Sequence, residues 1–224
     1  MKRFLITVLC FALLCVPARG AESEKLVALT FDDGPSGRFT RALLEGLEER
    51  DTKATFFLCG YRMEQNPALT ERIFREGHEI GLHGYSHKCM KNMCQADIEQ
   101  ELQRAAALLP NGCQASFLRS PGGLCSNNVR SAAKNMNLSV LSWSVDPRDW
   151  ATTNANAIEK EVIDHVRDGD IILLHDMSDS SVKATLMIID ELLEEGFRFV
   201  TVSELAQAKG ITPVPGTEYR RFGN

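Results

Sequence analysis

The sequence predicts an α/β fold in which seven parallel strands curl into a distorted barrel. Short apolar segments recur seven times along the 224 residues, and helical periods or loops follow each of them. Such alternation implies parallel strands with helices outside them. The hydrophobic content of 44% is enough for one sizeable core, so residues 21–224 are predicted to form a single domain.

The predicted strands are short and aliphatic, as buried strands are, and turn residues bound them. They cover 26–29, 54–59, 79–82, 116–118, 139–145, 171–174 and 197–202. Apolar residues at helical spacing predict helices over 39–50, 67–76, 97–109, 129–136, 157–166, 182–195 and 203–209. Residues 213–224 show no period and are predicted to be a polar tail.

The first twenty residues have the pattern of a secretory signal peptide. Lys2 and Arg3 precede an apolar stretch over 4–16, and small residues follow at Ala18 and Gly20. We expect cleavage after Gly20 and export to the cell envelope, the periplasm or the medium, with no stable membrane insertion afterwards. The apolar stretch is short for a membrane span, and an uncleaved anchor is the alternative.

The net charge argues against one class of partner. It is −5 for the whole chain, and loss of the three basic residues of the signal makes it −8. Such an acidic protein is not expected to bind nucleic acid. Protein partners and oligomeric state are not indicated.

Five cysteines remain after the signal, and in an exported protein cysteines can pair. They are Cys59, Cys89, Cys94, Cys113 and Cys125. Because five is odd, at least one stays free or pairs between chains, and Cys59 at the end of an apolar run is the expected buried thiol. The pairing of the others is open, and a zinc site built from them is a rival interpretation without a C-x-x-C spacing to support it.

Two adjacent carboxylates, Asp32 and Asp33, end the first strand just before the turn at Gly34-Pro35. Chemistry in α/β folds gathers at the carboxyl ends of strands. Two carboxylates this close repel each other, and a cation that binds one would leave the other as a base. A helix cap plus a turn residue is the alternative.

Other polar residues follow later strands, and a parallel barrel would bring them to the same mouth. His83 and His87 have the i,i+4 spacing of one helical face and, with Asp33, make a set that could hold a metal and leave positions for water and substrate. Solvated or capping histidines are the alternative. Asp32 could then accept a proton from water.

The later strand ends supply candidates for an acid and its supports. His175 could be a general acid held by Asp149 or Asp146, or a core histidine bonded to backbone. Arg119 could pair with Asp32 or form a surface ion pair. Trp150 could stack on a sugar or belong to the core. Gly122 and Gly123 leave backbone N–H groups free for an oxyanion.

Five ordered motifs in this chain resemble those of the polysaccharide deacetylases, carbohydrate esterase family 4, also called the NodB homology domain. They are Thr30-Phe31-Asp32-Asp33-Gly34-Pro35, His83-x-x-x-His87, Arg119-x-Pro121-x-Gly123, Asp146-x-x-Asp149-Trp150 and Leu173-x-His175. The resemblance implies a (β/α)7 barrel and metal-dependent removal of acetyl groups from a glycan.

Position by position, the resemblance implies a role for each of these residues. Asp32 would be the general base and His175 the general acid, with Arg119 and Asp149 orienting them. Asp33, His83 and His87 would bind a divalent metal, with zinc preferred over cobalt, nickel or iron. The remaining positions would contact substrate: Pro121, Gly122, Trp150 and Leu173.

Two positions depart from the pattern. Gly84 stands where the family usually has Ser or Thr, so one loop hydrogen bond is expected to be absent. Gly122 stands where a tyrosine is common, so the groove is expected to lack an aromatic wall.

The expected substrate is an N-acetylated extracytoplasmic polysaccharide, with peptidoglycan N-acetylglucosamine preferred. Chitooligosaccharide, poly-N-acetylglucosamine and acetylated xylan stay open as substrates. The alternatives from other classes are an inactive glycan-binding module on the same barrel and a metal-dependent phosphoesterase. A phosphoesterase would want more basic residues at the mouth than Arg119 and Arg148.

Overall fold

A parallel sheet that curls into a distorted barrel forms the centre of the molecule. The computed structural model describes residues 24–223, and the signal peptide expected at 1–20 lies outside the described residues. The strands are β1 Lys25–Asp32, β2 Thr55–Leu58, β3 Glu79–Leu82, β4 Phe117–Leu118, β5 Ser139–Leu141, β6 Ile171–His175, β7 Phe197–Phe199 and β8 Glu218–Tyr219. All seven predicted strands are present.

The strand order is β6-β1-β2-β3-β4-β5-β8, and β7 pairs with β1. Every pairing between these strands is parallel. One isolated parallel bridge, Val145 to Ile172, connects the chain after β5 to β6. The barrel therefore closes through a single bridge instead of a full strand pair, which is the distortion.

Helices cover the outside of the sheet. They are α1 Arg38–Glu49, α2 Gly60–Gln65, α3 Pro67–Arg75, α4 Gln95–Ala106, α5 Asn127–Asn135, α6 Ala155–His165, α7 Asp179–Glu194 and α8 Val202–Ala208. Three short 3₁₀ turns lie at Met90–Asn92, Pro121–Gly123 and Asp149–Ala151. No helix among residues 24–223 combines the length and the apolar character that a membrane crossing needs.

The alternation of β1 residues separates two cores. Val27, Leu29 and Phe31 pack against the outer helices, whereas Leu26 and Ala28 face the barrel interior. Side chains of one strand alternate between faces. Asp32 therefore points to the interior, at the open end of the barrel.

The predicted polar tail is wrong, because residues 218–219 form strand β8 beside β5. Phe222 is fully buried and stacks on Tyr219 in the interior core. Glu218 accepts hydrogen bonds from Ser142 Oγ at 2.7 Å and Arg130 Nη2 at 2.8 Å. A two-residue strand has too few positions to show a period, which is why the sequence pattern missed it.

The five described cysteines are all free thiols, and Cys59 is buried as predicted. Burial, with the nearby carboxylates of Asp33 and Asp32, raises the pKa of the Cys59 thiol. Cys89 and Cys94 are exposed, and Cys113 and Cys125 are half-buried.

Candidate active site

An open groove of about 1020 Å³ lies at the carboxyl end of the barrel. Asp32, Asp33, His83, His87 and His175 line it. Strands β1 and β6 pair in a register that sets Asp32 directly beside His175, so their carboxyl ends lie side by side. Parallel pairing thus brings residues far apart in sequence to one mouth.

Asp33, His83 and His87 converge at the base of this groove. Their ligating atoms all lie within 4.8 Å of one another. Asp33 Oδ1 is 3.3 Å from His83 Nε2 and 2.9 Å from His87 Nε2. Both Asp33 and His87 have left-handed backbone, with φ of 71° and 57°. Such backbone is uncommon for non-glycine residues and turns both side chains toward the same point.

These three residues fit a divalent cation. Asp33 Oδ1 is buried and has no hydrogen-bond partner, although two imidazole nitrogens lie beside it. The other nitrogen of His83, Nδ1, is 2.8 Å from the Arg119 carbonyl oxygen and donates to it. Nε2 of the neutral ring is then an electron-pair donor, as a metal ligand requires. Two histidines and one carboxylate are a ligand set that zinc and its neighbours accept.

The electrostatics of Asp33 agree with a ligand role. Burial favours the neutral acid, but the imidazoles of His83 and His87 outweigh it and hold the pKa of Asp33 well below its usual range. The carboxylate is therefore ionised at any physiological pH. No second group of three such side chains with this spacing occurs in residues 24–223, so the cysteine-based zinc site finds no support there.

Asp32 forms a buried ion pair with Arg119, and both side chains are almost fully removed from solvent. Arg119 Nη1 donates to Asp32 Oδ1 at 2.8 Å and to Thr30 Oγ1 at 2.8 Å. The same guanidinium donates to the carbonyls of Leu141 and Ser142. Asp32 Oδ2 takes no part in that pair and lies 3.8 Å from His83 Nε2, on the side of the metal-ligand trio.

Asp149 holds His175 by two hydrogen bonds. The backbone N–H of His175 donates to Asp149 Oδ2, and its ring Nδ1 donates to Asp149 Oδ1, both at 2.8 Å. Burial would lower the pKa of His175, but the hydrogen bond and charge of Asp149 outweigh it and raise the pKa to about 9. The imidazole is thus protonated at neutral pH, and its Nε2–H can donate to a substrate because Asp149 engages only Nδ1. Asp146 instead accepts from the Arg148 N–H in its own loop.

The loop after β4 contains two glycines with left-handed backbone, φ 74° at Gly122 and 70° at Gly123. The Gly123 N–H donates to the Ser120 carbonyl at 2.8 Å. The Gly122 N–H has no hydrogen-bond acceptor in the part of the chain that the structure describes, and Gly122 lines the groove. This is the free N–H that the sequence suggested for an oxyanion.

Trp143 supplies an aromatic surface to the groove, although Gly122 has no side chain. A Cβ on Gly123 would come 2.4 Å from the Trp143 ring, so the two are in close contact. Sequence reasoning placed Trp143 inside a strand over 139–145, but β5 ends at Leu141 and Trp143 follows the strand end. Its position after an apolar segment was the signal that could have identified it.

The four predicted substrate contacts occupy different environments. Leu173, Gly122 and Trp150 all line the groove. Leu173 is only 3% exposed, whereas Trp150 is 63% exposed. Pro121 is buried at the start of its 3₁₀ turn and is not among the residues that line the groove. Other lining residues that sequence reasoning missed come from the chain after Trp150 and from the loop and first turn of α7: Ala151, Thr152, Thr153, Met177, Ser178, Ser180 and Ser181.

Comparison with known proteins agrees with this geometry. The family model described as polysaccharide deacetylase matches residues 19–141, about half of the chain. A peptidoglycan-N-acetylglucosamine deacetylase of Bacillus cereus is 37% identical over 193 residues, which cover 84% of this chain and 91% of the relative. A peptidoglycan-N-acetylglucosamine deacetylase of Listeria monocytogenes is 33% identical over 83% of this chain, which spans only 40% of that longer protein.

Among solved structures, a family 4 acetyl xylan esterase from Clostridium thermocellum in complex with a cobalt ion superimposes with a TM-score of 0.83. It is 33% identical, and the alignment covers 89% of this chain and all of that one. The barrel predicted from the sequence is therefore confirmed as the fold of these deacetylases and esterases. The chain belongs to the polysaccharide deacetylase family.

Proposed function

We propose that this protein hydrolyses the acetamide of N-acetylglucosamine residues in peptidoglycan, with a divalent cation at Asp33, His83 and His87. The observation that carries the proposal is the convergence of this trio with a buried Asp32–Arg119 pair and an Asp149–His175 pair around one groove. The Bacillus cereus relative, named for that substrate and nearly equal in length, supports the choice of substrate.

The trio holds the cation, which when bound would polarise the acetyl carbonyl and make a nearby water more acidic. Zinc is the preferred metal, because two imidazoles and a carboxylate with open positions are a common catalytic zinc set. Cobalt, nickel and iron fit the same donors, and availability decides among them.

Asp32 is the general base. Its Oδ1 is held by Arg119 at 2.8 Å, while Oδ2 stays on the side of the trio. Because Arg119 engages only Oδ1, Oδ2 can take the proton of the water that attacks the carbonyl carbon. Arg119 donates one hydrogen bond to the carboxylate, and its three bonds to Thr30 Oγ1 and the Leu141 and Ser142 carbonyls hold the guanidinium in place.

His175 is the general acid. With Nδ1 on Asp149, the proton on Nε2 is available to the leaving nitrogen of the glucosamine. A pKa of about 9 keeps this proton in place at neutral pH. The acid is thus a charged imidazole, the form that can give a proton to the leaving nitrogen.

The Gly122 N–H donates to the oxyanion that forms as water adds to the carbonyl. Leu173, two residues before His175 in β6, bounds the space for the acetyl methyl group. Trp143 and Trp150 offer ring faces to the sugars, since aromatic rings stack well on the apolar faces of pyranoses.

Export through a signal peptide at 1–20 belongs to the same proposal. Peptidoglycan lies outside the cytoplasmic membrane, and the apolar stretch over 4–16 after two basic residues is typical of a signal. N-terminal sequencing of protein recovered from the envelope or the medium tests it. A mature N-terminus at Ala21 is expected, and protein retained in the cytoplasm with residue 1 intact would contradict export.

Acetate release from purified peptidoglycan tests the chemistry. We expect release that stops on chelation, returns with zinc or cobalt, and falls by about 10²-fold or more in Asp32→Asn, since general base catalysis typically contributes 10²–10⁴-fold. Asp164→Asn, an exposed aspartate on α6, is the matched control and should keep full activity. Binding of glycan without release from any acetylated substrate would support the inactive module instead.

Acetylated xylan is the second candidate substrate, because the Clostridium thermocellum esterase gives a TM-score of 0.83 over its whole length. Parallel assays on acetylxylan, chitooligosaccharides and peptidoglycan separate the candidates. Release from acetylxylan alone would keep the roles of Asp32 and His175 and replace the substrate.

A further inference from the structure

The loop between the two histidine ligands is held from outside the groove by one carboxylate. Glu101 lies on α4 and is 8% exposed. Its Oε2 accepts hydrogen bonds from the Tyr85 N–H at 3.0 Å, the Ser86 N–H at 2.7 Å and the Ser86 Oγ at 2.8 Å. A single buried oxygen thus collects three donors from the two residues that precede His87.

The carbonyl groups of the same loop are fixed by α2. The Gly60 N–H donates to the Gly84 carbonyl at 2.9 Å, and the Tyr61 N–H donates to the Tyr85 carbonyl at 3.0 Å. Gly84 itself has a φ of 75°, and a Cβ there would come 2.8 Å from Met90 Cε. The close contact leaves little room for a side chain at Gly84, so the bonds that hold this loop come from α4 and α2.

The two histidines differ in how their rings are anchored. His83 is 2% exposed and its ring donates to the Arg119 carbonyl. The His87 side chain is 42% exposed, and its ring has no hydrogen bond to a second group among residues 24–223. The direction of the His87 imidazole therefore depends on its backbone, whose φ of 57° is one that L-residues adopt only when the surroundings impose it.

We propose that Glu101 is a positioning residue for the metal centre, acting through the Tyr85–Ser86 backbone to aim His87 at the cation that it shares with His83 and Asp33. The inference rests on the proposed metal-ligand role of His87. Groups that orient metal ligands from outside the coordination sphere typically change metal affinity by about 10–100-fold when they are removed.

Metal affinity, measured by competition with a chromophoric chelator for Zn²⁺, gives a readout independent of activity. We expect Glu101→Ala to weaken Zn²⁺ binding by about 10–100-fold. Glu101→Gln should stay within a few-fold of the parent, because an amide oxygen at the place of Oε2 can accept the same three bonds. Glu99→Ala, on the same helix but bonded only to Gln95 and Asn135, is the matched control and should leave affinity unchanged.

A double-variant cycle with His87→Ala separates positioning from a general structural effect. If Glu101 acts through His87, E101A weakens Zn²⁺ binding in the parent but adds little in the H87A background. An equal loss in both backgrounds would overturn the inference, and so would unchanged affinity in E101A. If the single variant H87A binds Zn²⁺ as tightly as the parent, both the ligand role of His87 and this inference are overturned. If H87A binds Zn²⁺ more weakly but E101A binds it as the parent does, only the inference is overturned.

The visible absorption of the Co²⁺-loaded protein adds a spectroscopic test. Loss of one imidazole changes the coordination of Co²⁺, so the E101A spectrum should move toward that of H87A, and E101Q should retain the parent spectrum. An E101A spectrum identical to that of the parent would contradict the inference. Thermal unfolding of the metal-free proteins identifies any variant that fails to fold, and E101Q then remains available for the affinity measurement.

Discussion

Replacing Arg119 with methionine would leave a buried carboxylate without its partner. Arg119 is fully buried and Asp32 is 4% exposed. The guanidinium donates hydrogen bonds to Asp32 Oδ1, Thr30 Oγ1 and two backbone carbonyls. Its central carbon lies 4.2 Å from the Phe57 ring centroid. Methionine fills part of this space but supplies no donor, so the buried Oδ1 of Asp32 would lose both its hydrogen-bond donor and its opposite charge.

Removing one partner of a buried ion pair typically costs about 3–5 kcal/mol of unfolding free energy. For a chain of this length, each kcal/mol lowers the melting temperature by about 2–4 °C, so Arg119→Met should lower it by roughly 6–20 °C. Arg119→Met combined with Asp32→Asn leaves no charge buried at this site. The double variant should therefore be more stable than the sum of the two single losses predicts, by about 0.5–3 kcal/mol.

Urea unfolding at pH 7 of the chelated proteins measures these free energies without a contribution from bound metal. Arg148→Met is the matched control, because Arg148 is exposed, and its unfolding free energy should change by less than about 0.5 kcal/mol. Strict additivity of Arg119→Met and Asp32→Asn would refute the reasoning, since it would mean that the two charges do not stabilise each other.

Four further variants test other contacts. Asp149→Asn removes the charge that raises the pKa of His175. A general acid loses its proton as pH rises through its pKa, so the alkaline limb of the kcat–pH profile should move to lower pH. A limb that does not move would count against His175 as the acid. Burial raises the pKa of Asp176 to about 7, and an acid with a raised folded-state pKa destabilises the fold progressively from about pH 4 to pH 7. Asp176→Asn should therefore be more stable than the parent, by a difference that grows across that window to about 4 kcal/mol and stays constant above pH 7. A difference in thermal stability that does not change with pH would contradict this. Gly122→Ala and Gly123→Ala each place a side chain on left-handed backbone, which costs about 1–2 kcal/mol of unfolding free energy. Only Gly123→Ala also presses a methyl group on Trp143, so it should lose about 1–3 kcal/mol more. Equal losses in urea unfolding would argue against that contact.

The strand-end motifs could be predicted from the sequence because a parallel fold fixes where such residues meet. Asp32 and His175 are far apart in the chain, but both directly follow or end apolar strands, and β1 and β6 pair in a register that sets them side by side. A short pattern at each strand end was sufficient, since the topology supplied the convergence.

The features that the sequence did not reveal depend on a few residues with distant partners. Helix α2 has six residues, which is too short for a helical period, and it was missed although its first N–H groups hold the Gly84 loop. Glu101 lies on the same face of α4 as Ile98 and Leu102, and a carboxylate on an apolar face was a signal that it has a buried partner. Its partners, two N–H groups and a serine hydroxyl in a loop, have no sequence signature.

Strand β8 has a consequence for the order in which the barrel can be completed. It is the only described partner of the outer edge of β5, and it comes from a segment widely separated from β5 in the chain. Until residues 218–222 have been synthesised and added, β5 presents unpaired backbone groups and the interior lacks Phe222, and an open sheet edge is a template for association with other chains. The completing step is therefore also the step that removes an aggregation surface, so a chain shortened before residue 218 should keep all the groove residues and yet be lost to self-association.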